Sequence, residues 1–356
     1  MRGLVLALPL LLAACAGAAP APAVVSALPE DRVERRLSVM GTSLDVTVEA
    51  ADRATALAAS ERAVAALEGA EARLSTWRDG TELGRLNQAP PGEPVALSAE
   101  LAADLAAARR CWEETGGAFD PAVGPLVRAW GLREGGRRPS GDELRAATAA
   151  TGMDGLRLDG RTAVRERKGL LLEEGGWGKG AGLAGALAAL AEVPGVRRAT
   201  LDLGGQIAVF SKGSVGGAPW KVPVADPQRR DRAVVSLTID RGSVSTSGNS
   251  ERGIVVEGKR LGHILSPRTG RPAPDFGSLT VWTADPLRAD CLSTGLYVMG
   301  PEAALAWAAS HPGVEVVVLR PRDRGLEALA SPGLEGKIEA LAEDVSVRIW
   351  MKSKES

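Results

Sequence analysis

The chain has 356 residues, which is enough for one large domain or two moderate ones with an ample hydrophobic core. Its formal net charge is −1 and its Lys and Arg residues form no basic stripe, so the composition argues against a nucleic-acid-binding protein. Aromatic residues make up only 3% of the chain, so Leu, Val and Ala must build the core. Tryptophans beside glycine-rich turns, namely Trp77, Trp130 and Trp177, therefore become candidate site residues.

The N-terminal segment has the composition of an export signal. It reads "MRGLVLALPLLLAACAG", with one arginine, an apolar run too short for a lone transmembrane helix, and small residues at its end. The "LAAC" at 12–15 resembles the lipobox of bacterial lipoproteins and predicts lipidation of Cys15, although an ordinary cleaved signal also fits the small residues. We expect residues 1–15 to be a lipoprotein signal peptide and 16–32 an Ala- and Pro-rich tether. The expected product is an exported bacterial lipoprotein, anchored to the membrane on its extracytoplasmic side.

The predicted elements of the first half mix strands and helices. Arg36 to Ala50 has the β-branched content of a strand pair, broken at Met40-Gly41-Thr42. Apolar residues at helical spacing predict a helix from Asp52 to Leu74, and "STWRDGTELGRLN" after it is rich in turn residues. The remaining predictions are helices at Ser98–Thr115, Val123–Leu132 and Lys179–Ala191 and a hairpin that turns at Asp159-Gly160.

From Arg198 onward, short predicted strands follow one another at hairpin spacing. Two helices, Pro286 to Met299 and Pro301 to Ser310, precede two terminal strands, Val314 to Arg320 and Val345 to Met351. Strands that come in runs favour an α+β fold with antiparallel β-sheets packed with helices over a doubly wound parallel sheet. The pattern predicts one folded body over residues 33–351.

The sequence lacks the motifs of several common nucleotide-binding and metal-binding sites. The chain has no GxxxxGK[ST] loop, and "GGWGKG" at 175–180 is not a GxGxxG that follows a strand with an acidic residue at the required distance. Besides Cys15 the chain has only Cys111 and Cys291, and it has no CxxC pair. We therefore expect neither a disulfide framework nor a structural zinc site, and we predict that both cysteines are buried as small hydrophobic residues.

The segment "RADCLSTGLYVMG" at 288–300 carries the strongest local chemistry. Asp290 and Thr294 lie four residues apart at the start of a predicted helix, hence on one face and near the positive helix terminus. A carboxylate, a hydroxyl and a nearby backbone carbonyl form a hard oxygen site that suits Mg²⁺, or equally Mn²⁺. The alternative is a capping-region carboxylate with a threonine bonded to its own helix.

His263 is one of two histidines, and it lies between an apolar strand and the turn "SPRTG" at 266–270. On a surface hairpin, Pro267 would preset the turn, Gly270 would supply positive φ and the histidine would be incidental. With an ordinary pKa near neutrality, a histidine at a phosphate site can instead act as a general base.

Eight segments resemble, in order, the ApbE family of FAD:protein FMN transferases. They lie between Val39 and about Ala309 and read "MGTSLDV", "LSTWRDGTELGRLN", "GAFDPAVGPLVRAWGL", "EEGGWGKGAGLAGAL", "LDLGGQIAV", "SVSTSGN", "HILSPRTG" and "RADCLSTGLYVMG". The resemblance implies an α+β, T-fold-related catalytic body with Mg²⁺ as metal and FAD as substrate. It also implies Asp290, Thr294 and the carbonyl of Gly178 as metal ligands, and His263 and Asp290 as catalytic residues. The matched FAD-binding positions are Met40 against the flavin ring, Trp77 stacked near it, Glu82 and Asn87 at the nucleotide end, Phe119 and Asp120 in the "FDP" loop, Lys179, and Ser247, Gly248, His263 and Arg268 around the diphosphate.

The implied reaction moves FMN from FAD to a Thr or Ser hydroxyl of a partner flavoprotein and releases AMP. Mg²⁺ would neutralise charge on the phosphates, His263 would take the hydroxyl proton, and Arg268 would contact the diphosphate or brace its loop. A tethered enzyme of this kind would modify a flavoprotein of a membrane electron-transfer system. Two alternatives stay open, namely a metal-dependent FAD pyrophosphatase that yields FMN and AMP, and a non-catalytic FAD-binding lipoprotein.

Four positions depart from the common family pattern. This chain has Glu174 where the family usually has an apolar residue, and Gln206 where it usually has Asn or Asp. It has Ser250 where an aromatic residue is common, and Ser266 where Asp or Asn is usual. None of them removes the proposed metal ligands or the histidine. They bear on substrate preference and on the fate of bound FAD.

Overall fold

The computed structural model describes residues 30–212, 218–249 and 253–351. Its helices are α1 (Arg53–Leu74), α2 (Glu82–Gln88), α3 (Ala99–Glu114), α4 (Gly124–Ala129), α5 (Gly141–Ala150), α6 (Gly178–Ala191), α7 (Pro286–Met299) and α8 (Pro301–Ala309). Its strands are β1 (Arg32–Val39), β2 (Thr42–Glu49), β3 (Pro94–Ala96), β4 (Leu156–Asp159), β5 (Thr162–Arg165), β6 (Arg198–Leu203), β7 (Gln206–Ser211), β8 (Trp220–Ala225), β9 (Ala233–Ile239), β10 (Gly242–Gly248), β11 (Gly253–Val256), β12 (Lys259–Gly262), β13 (Ser278–Thr283), β14 (Val314–Pro321), β15 (Leu326–Ala330), β16 (Ile338–Ala340) and β17 (Val345–Ile349). Among these residues, no helix combines the length and the apolar character that crossing a bilayer requires.

The predicted signal peptide, Cys15 and Ser250 lie outside the described residues. Strand β1 begins at Arg32, one residue inside the predicted tether. Asp31 is part of the folded body as well, because its carboxylate forms an ion pair with Arg197 at 2.5 Å and its carbonyl accepts from the N–H of Ala50.

Nine strands of the described residues form the main sheet, in the order β1-β2-β6-β7-β10-β13-β14-β15-β17. All neighbouring pairs are antiparallel except β15 and β17, which are parallel. The predicted α+β fold with antiparallel sheets is confirmed, with this one parallel pair as the exception. On β10, Ser245 and Ser247 face α7, and the alternation of a strand therefore directs Val244 and Thr246 to the opposite face.

The two faces of the main sheet are covered differently. Helices α1, α6 and α7 cover one face, and their contact surfaces are mostly Ala and Leu, as the scarcity of aromatic residues requires. On the other face, the small sheet β16-β9-β8 packs through valines such as Val222 and Val224 against Val209 and Val244. Two further small sheets, β3-β5-β4 and the hairpin β11-β12, flank the main sheet.

Most predicted elements are present. Strands β1 and β2 turn at Met40-Gly41, Asp52 caps α1 by accepting from the N–H of Thr55, and Ser98 caps α3 in the same way. The reading of residues 75–87 as turn-rich throughout was wrong from Glu82 onward. Thr81 accepts from the N–H of Gly84 at 3.0 Å, and this cap begins the helix α2 inside the stretch.

Cys111 of α3 and Cys291 of α7 are both buried, as predicted. Burial raises the pKa of the Cys291 thiol well above its ordinary value, and the neighbouring Cys111 thiol adds to that shift. The two helices meet again one turn further on, where the methyl carbon of Thr115 lies 3.0 Å from the position that a Cβ would take at Gly295.

Candidate functional site

A cavity of about 1010 Å³ opens where the N-terminus of α6, the helix α7 and the end of β10 meet. It brings together eleven of the sequence-predicted site residues, which are Met40, Trp77, Phe119, Asp120, Gly178, Lys179, Ser247, Gly248, His263, Asp290 and Thr294. Glu82, Asn87 and Arg268 do not line it. The volume is at the upper end of the range of about 300 to 1,000 Å³ for small-molecule sites, which suits a ligand as large as a dinucleotide.

Asp290 is the buried acid of this cavity, with 4% of its surface exposed. The sequence predicted it near the start of its own helix, and it lies in the second turn of that helix. Helix α7 begins at Pro286, and Asp285 caps it by accepting from the N–H of Leu287 at 2.8 Å. Asp290 instead accepts from the N–H of Gly180 at 2.9 Å, so the positive helix terminus that stabilises its carboxylate belongs to α6.

Glycines let the walls of the site approach one another. A Cβ at Gly180 would lie 2.4 Å from the carbonyl oxygen of Pro286 and 2.8 Å from the Cβ of Asp290. A Cβ at Gly295 would lie 2.7 Å from the Cβ of Phe119. The absence of side chains at these two positions therefore sets the distance between α6, α7 and the loop that carries Phe119.

The donor set fits a divalent cation that prefers oxygen. It consists of the carboxylate of Asp290, the hydroxyl of Thr294 and the backbone carbonyl of Gly178, three residues that line the cavity. Gly176 leaves the hydroxyl of Thr294 accessible, because a Cβ there would lie 3.2 Å from its oxygen. Three oxygen donors beside open space suit Mg²⁺, which keeps water or phosphate oxygens as its other ligands.

A chain of hydroxyls that sequence reasoning missed joins β10 to the backbone of Asp290. The hydroxyl of Ser293 donates to the carbonyl of Asp290 at 2.9 Å, and the hydroxyls of Ser247 and Ser245 lie 2.9 Å and 3.2 Å from that of Ser293. Ser293 is 1% exposed. The sequence position of Ser293, between Asp290 and Thr294, could have indicated this role, because a buried hydroxyl on that face of the helix must form hydrogen bonds.

His263 lies directly after β12 and lines the cavity, and the turn behind it is held from three sides. The N–H of Gly270 donates to the carbonyl of Ser266 at 2.8 Å, and the indole N–H of Trp130 donates to the carbonyl of Gly270 at 2.7 Å. The guanidinium of Arg268 donates to the carbonyl of Gly116 at 2.8 Å. Of the two predicted roles for Arg268, this geometry favours bracing of the loop.

Met40 and Trp77 line the part of the cavity predicted to hold the flavin ring. Met40 adopts a left-handed backbone conformation with φ of 53°, which is uncommon for a residue other than Gly, Asn or Asp. Its Sδ lies 3.0 Å from the position of a Cβ at Gly182, so the side chain packs on the glycine-lined surface of α6. Backbone strain of this kind clusters at functional sites.

Trp77 is 62% exposed, yet a network that sequence reasoning missed holds its ring in place. The guanidinium of Arg133 lies 4.4 Å from the ring centroid, and it donates to the carboxylate of Glu173 at 2.6 Å and to the carbonyl of Thr76 at 2.7 Å. Burial and the charge of Glu174 raise the pKa of Glu173, and the guanidinium opposes that shift. Glu174, one of the four departures from the family pattern, accepts from the N–H of Thr76 at 3.1 Å. It therefore belongs to the same network.

Phe119 and Asp120 lie on the loop between α3 and α4. The carboxylate of Asp120 accepts from the N–H groups of Ala122 at 2.8 Å and Met153 at 3.3 Å. Burial raises the pKa of the Asp120 carboxyl to about 6, although these hydrogen bonds lower it. Asp120 therefore fixes the loop, and Phe119 is held against α7.

The two residues predicted at the nucleotide end are engaged elsewhere. The carboxylate of Glu82 accepts from the backbone N–H of Ser98 at 2.5 Å and from its hydroxyl at 2.7 Å. The side chain of Asn87 makes two hydrogen bonds with the backbone of Leu172, at 2.9 Å and 2.8 Å. Both side chains join α2 to neighbouring segments, and their geometry supports a structural role in place of direct ligand contact.

Gln206, another departure from the family pattern, is 1% exposed. Its side-chain amide donates to the carbonyl of Pro286 at 2.9 Å and lies 3.3 Å from the hydroxyl of Ser243. The residue thus connects the turn after β6 to the first residue of α7. Its effect on the site is to help fix the helix that carries Asp290.

Comparison with known proteins agrees with this geometry. Residues 40–318 match the model of the ApbE family. A protein of Klebsiella pneumoniae called FAD:protein FMN transferase is 32% identical over 303 residues, covering 82% of this chain and 85% of the relative, and its counterpart in Vibrio cholerae is 33% identical over 272 residues, covering 74% and 80%. The solved structure of the flavin transferase ApbE from Vibrio cholerae has a TM-score of 0.74 at 28% identity, covering 87% of this chain and all of that one, and the ApbE protein of Thermotoga maritima has a TM-score of 0.73 at 28% identity, covering 87% and 96%. This chain is a member of the ApbE family.

Proposed function

We propose that this chain is a Mg²⁺-dependent FAD:protein FMN transferase, which moves FMN from FAD to a Thr or Ser hydroxyl of a partner flavoprotein and releases AMP. The observation that carries the proposal is that one cavity holds the oxygen donors Asp290 and Thr294, the imidazole of His263, and the flavin-side residues Met40 and Trp77. The relatives named above carry this activity in their names.

The proposed chemistry is an in-line displacement at phosphorus. The acceptor oxygen attacks the phosphorus of the FMN half, the bond from that phosphorus to the bridging oxygen breaks, and AMP leaves with that oxygen and its electron pair. The proton of the acceptor hydroxyl goes to the imidazole of His263. Mg²⁺, held by Asp290, Thr294 and the carbonyl of Gly178, would supply positive charge that neutralises the diphosphate.

The protein's own contribution is orientation. The N–H of Gly180 fixes the carboxylate of Asp290, and the Ser293 hydroxyl fixes the backbone of the same residue. The turn held by Trp130 and Arg268 positions His263. Groups that are oriented before the reaction lose little entropy in the transition state, which is a large part of enzymatic rate enhancement.

The direct test is to incubate the wild-type protein with FAD, MgCl₂ and a library of synthetic peptides that each carry one central Thr or Ser. We expect peptides that gain one FMN, AMP in equal amount, and loss of both when EDTA replaces MgCl₂. Free FMN and AMP without a labelled peptide would instead identify a pyrophosphatase. Intact FAD that stays bound would identify a carrier, and either outcome would contradict the proposal.

We further propose that the protein is an exported lipoprotein, lipidated at Cys15, whose partner belongs to a membrane electron-transfer system. The "LAAC" pattern and the Ala- and Pro-rich segment after it support this proposal. Expression in a bacterium fed with labelled palmitate should label the wild-type chain and leave Cys15→Ser unlabelled. Equal labelling of the two chains would contradict lipidation at this cysteine.

A further inference from the structure

The hydroxyl chain of Ser245, Ser247 and Ser293 has a fixed hydrogen-bond direction. A serine hydroxyl has one proton to donate and two lone pairs that accept. The hydroxyl oxygen of Ser293 lies 2.9 Å from the carbonyl oxygen of Asp290. A carbonyl can only accept, so the single proton of Ser293 points to Asp290 and none remains for β10.

The two serines of β10 must therefore donate to Ser293. The hydroxyl oxygens of Ser247 and Ser245 lie 2.9 Å and 3.2 Å from that of Ser293, and each of these hydrogen bonds needs one donor. Because the proton of Ser293 is committed to Asp290, both donors lie on β10. Ser293 then donates once and accepts twice, which uses its full hydrogen-bonding capacity.

This direction makes Ser247 an acceptor toward the cavity. Ser247 lines the cavity, whereas Ser245 is 2% exposed and does not line it. In the part of the chain that the structure describes, Ser293 is the hydrogen-bond partner of the Ser247 hydroxyl, and it takes the only proton. A ligand in the cavity can therefore donate to the Ser247 oxygen but cannot accept from it.

A diphosphate has the wrong polarity for direct contact with this oxygen. Its ionised oxygens only accept hydrogen bonds, so it and Ser247 would face each other as two acceptors. A hydrated Mg²⁺ has the opposite polarity, because it keeps several waters and their protons point away from the cation. The position that the family resemblance places at the diphosphate therefore suits the water shell of the cation.

The hydroxyl chain also places Ser247 close to the turn of α7 that carries two of the proposed ligands. Ser293 lies between Asp290 and Thr294 in sequence, and its hydroxyl contacts both Ser247 and the carbonyl of Asp290. Asp290, Thr294 and Ser247 line the same cavity. Residues that hydrogen-bond to the ligands of a metal site orient them and tune the affinity for the metal.

We propose that Ser247 is a further residue of the cation site, whose oxygen accepts a hydrogen bond from water bound to the cation. The inference rests on the proposed function, because the cation is the Mg²⁺ of that reaction. Ser293 is a positioning residue, since it holds the proton of Ser247 away from the cavity.

Three variants separate this role from a contact with the diphosphate. Ser247→Ala removes the oxygen from the cavity, and Ser293→Ala leaves that oxygen but releases its proton. Ser245→Ala is the matched control, because it removes the equivalent hydrogen bond to Ser293 without changing the lining of the cavity. Electron paramagnetic resonance of unbound Mn²⁺ measures the cation affinity of each FAD-loaded protein. Flavin fluorescence in EDTA measures the affinity for FAD without metal.

We expect Ser247→Ala to weaken Mn²⁺ binding by about tenfold and to keep the metal-free FAD affinity within about twofold of wild type. Ser293→Ala should bind metal-free FAD about tenfold more tightly, because the released proton of Ser247 can be donated to an ionised phosphate oxygen. Ser245→Ala should match the wild-type protein in both measurements.

Three results would overturn the proposal. The first is wild-type Mn²⁺ affinity in Ser247→Ala. The second is weakened metal-free FAD binding in Ser247→Ala, which would assign its hydroxyl to the diphosphate. The third is unchanged metal-free FAD binding in Ser293→Ala, which would show that its proton was never held away. Failure of the wild-type protein itself to bind FAD and Mn²⁺ would count against the proposed function, so the two failures are distinguishable.

Discussion

Replacing Gly180 with alanine tests whether the contact between α6 and α7 sets the position of Asp290. A Cβ at this position would lie 2.4 Å from the carbonyl oxygen of Pro286, 2.6 Å from the Cα of Leu287 and 2.8 Å from the Cβ of Asp290. The obstructing atoms are backbone or directly attached to it, so the helices must separate. Ordinary contact begins at 3.4 Å, which requires a movement of about 1 Å.

The magnitude follows from two opposing effects. Alanine favours the helix over glycine by about 1 kcal/mol, and overpacking costs about 1 to 3 kcal/mol. We expect Gly180→Ala to lower the free energy of unfolding by about 1 kcal/mol. A displacement of about 1 Å at a catalytic group costs on the order of 100-fold in rate, so FMN transfer should fall by that factor.

Gly185→Ala is the matched control on the same helix. Its Cβ would meet only the Cβ of Ala66, at 4.0 Å, so helix propensity alone should act and raise stability by about 1 kcal/mol. Urea unfolding measures the stabilities, and intact mass of labelled peptide measures the rates. Wild-type activity in Gly180→Ala would refute the reasoning, because the α6–α7 distance would then not matter for Asp290.

Three further predictions address other parts of the site. Arg133→Leu should weaken FAD binding by about tenfold, because Trp77 loses the guanidinium that lies over its ring. Flavin fluorescence measures the affinity, and Arg145→Leu, which removes an exposed arginine, is the control that should bind FAD like the wild-type protein. The pKa of Asp120, about 6 in the folded state, is above its ordinary value of 3.8, so the stability from its protonated form is fully present below pH 3.8 and is lost as the pH rises through 6. The stability difference between pH 5 and pH 8, measured by urea unfolding, should therefore favour pH 5 by about 1 kcal/mol more in the wild-type protein than in Asp120→Asn. Cys111 and Cys291 should react with a thiol reagent only as fast as the protein unfolds, because both are buried, and faster labelling in native buffer would contradict their burial.

Local signals were sufficient for the elements that local residues define. The caps Asp52 and Ser98 and the Asp159-Gly160 hairpin depend on neighbours in sequence, and each was predicted. The break between β1 and β2 was predicted at Met40-Gly41-Thr42, and the turn takes only the first two of these residues. Strand β15 shows the opposite case. It reads "LEALA", which favours a helix by propensity, but pairing with β14 and β17 makes it a strand.

The sequence predicted which residues form the site, but it predicted only part of how they are arranged. The motifs pointed to Asp290, Thr294 and His263, and the structure brings them to one cavity. The hydrogen bond that orients Asp290 comes from Gly180, 110 positions away, which no local pattern indicates. Arg133 was missed for the same reason, because its role depends on Glu173 and Trp77 from other segments.

The measurement that tests the account most directly is the rate of FMN transfer by Asp290→Ala. Wild-type protein, this variant and Asp240→Ala would be incubated with FAD, MgCl₂ and unmodified peptides that the wild-type protein is known to label. The intact mass of the peptides would be followed over time. Asp240 is the control because its exposed side chain lies in the turn between β9 and β10, outside the cavity that holds Asp290. The account predicts a loss of more than about 100-fold in Asp290→Ala and a wild-type rate in the control. Transfer at the wild-type rate by Asp290→Ala would contradict the proposed metal site and the mechanism built on it.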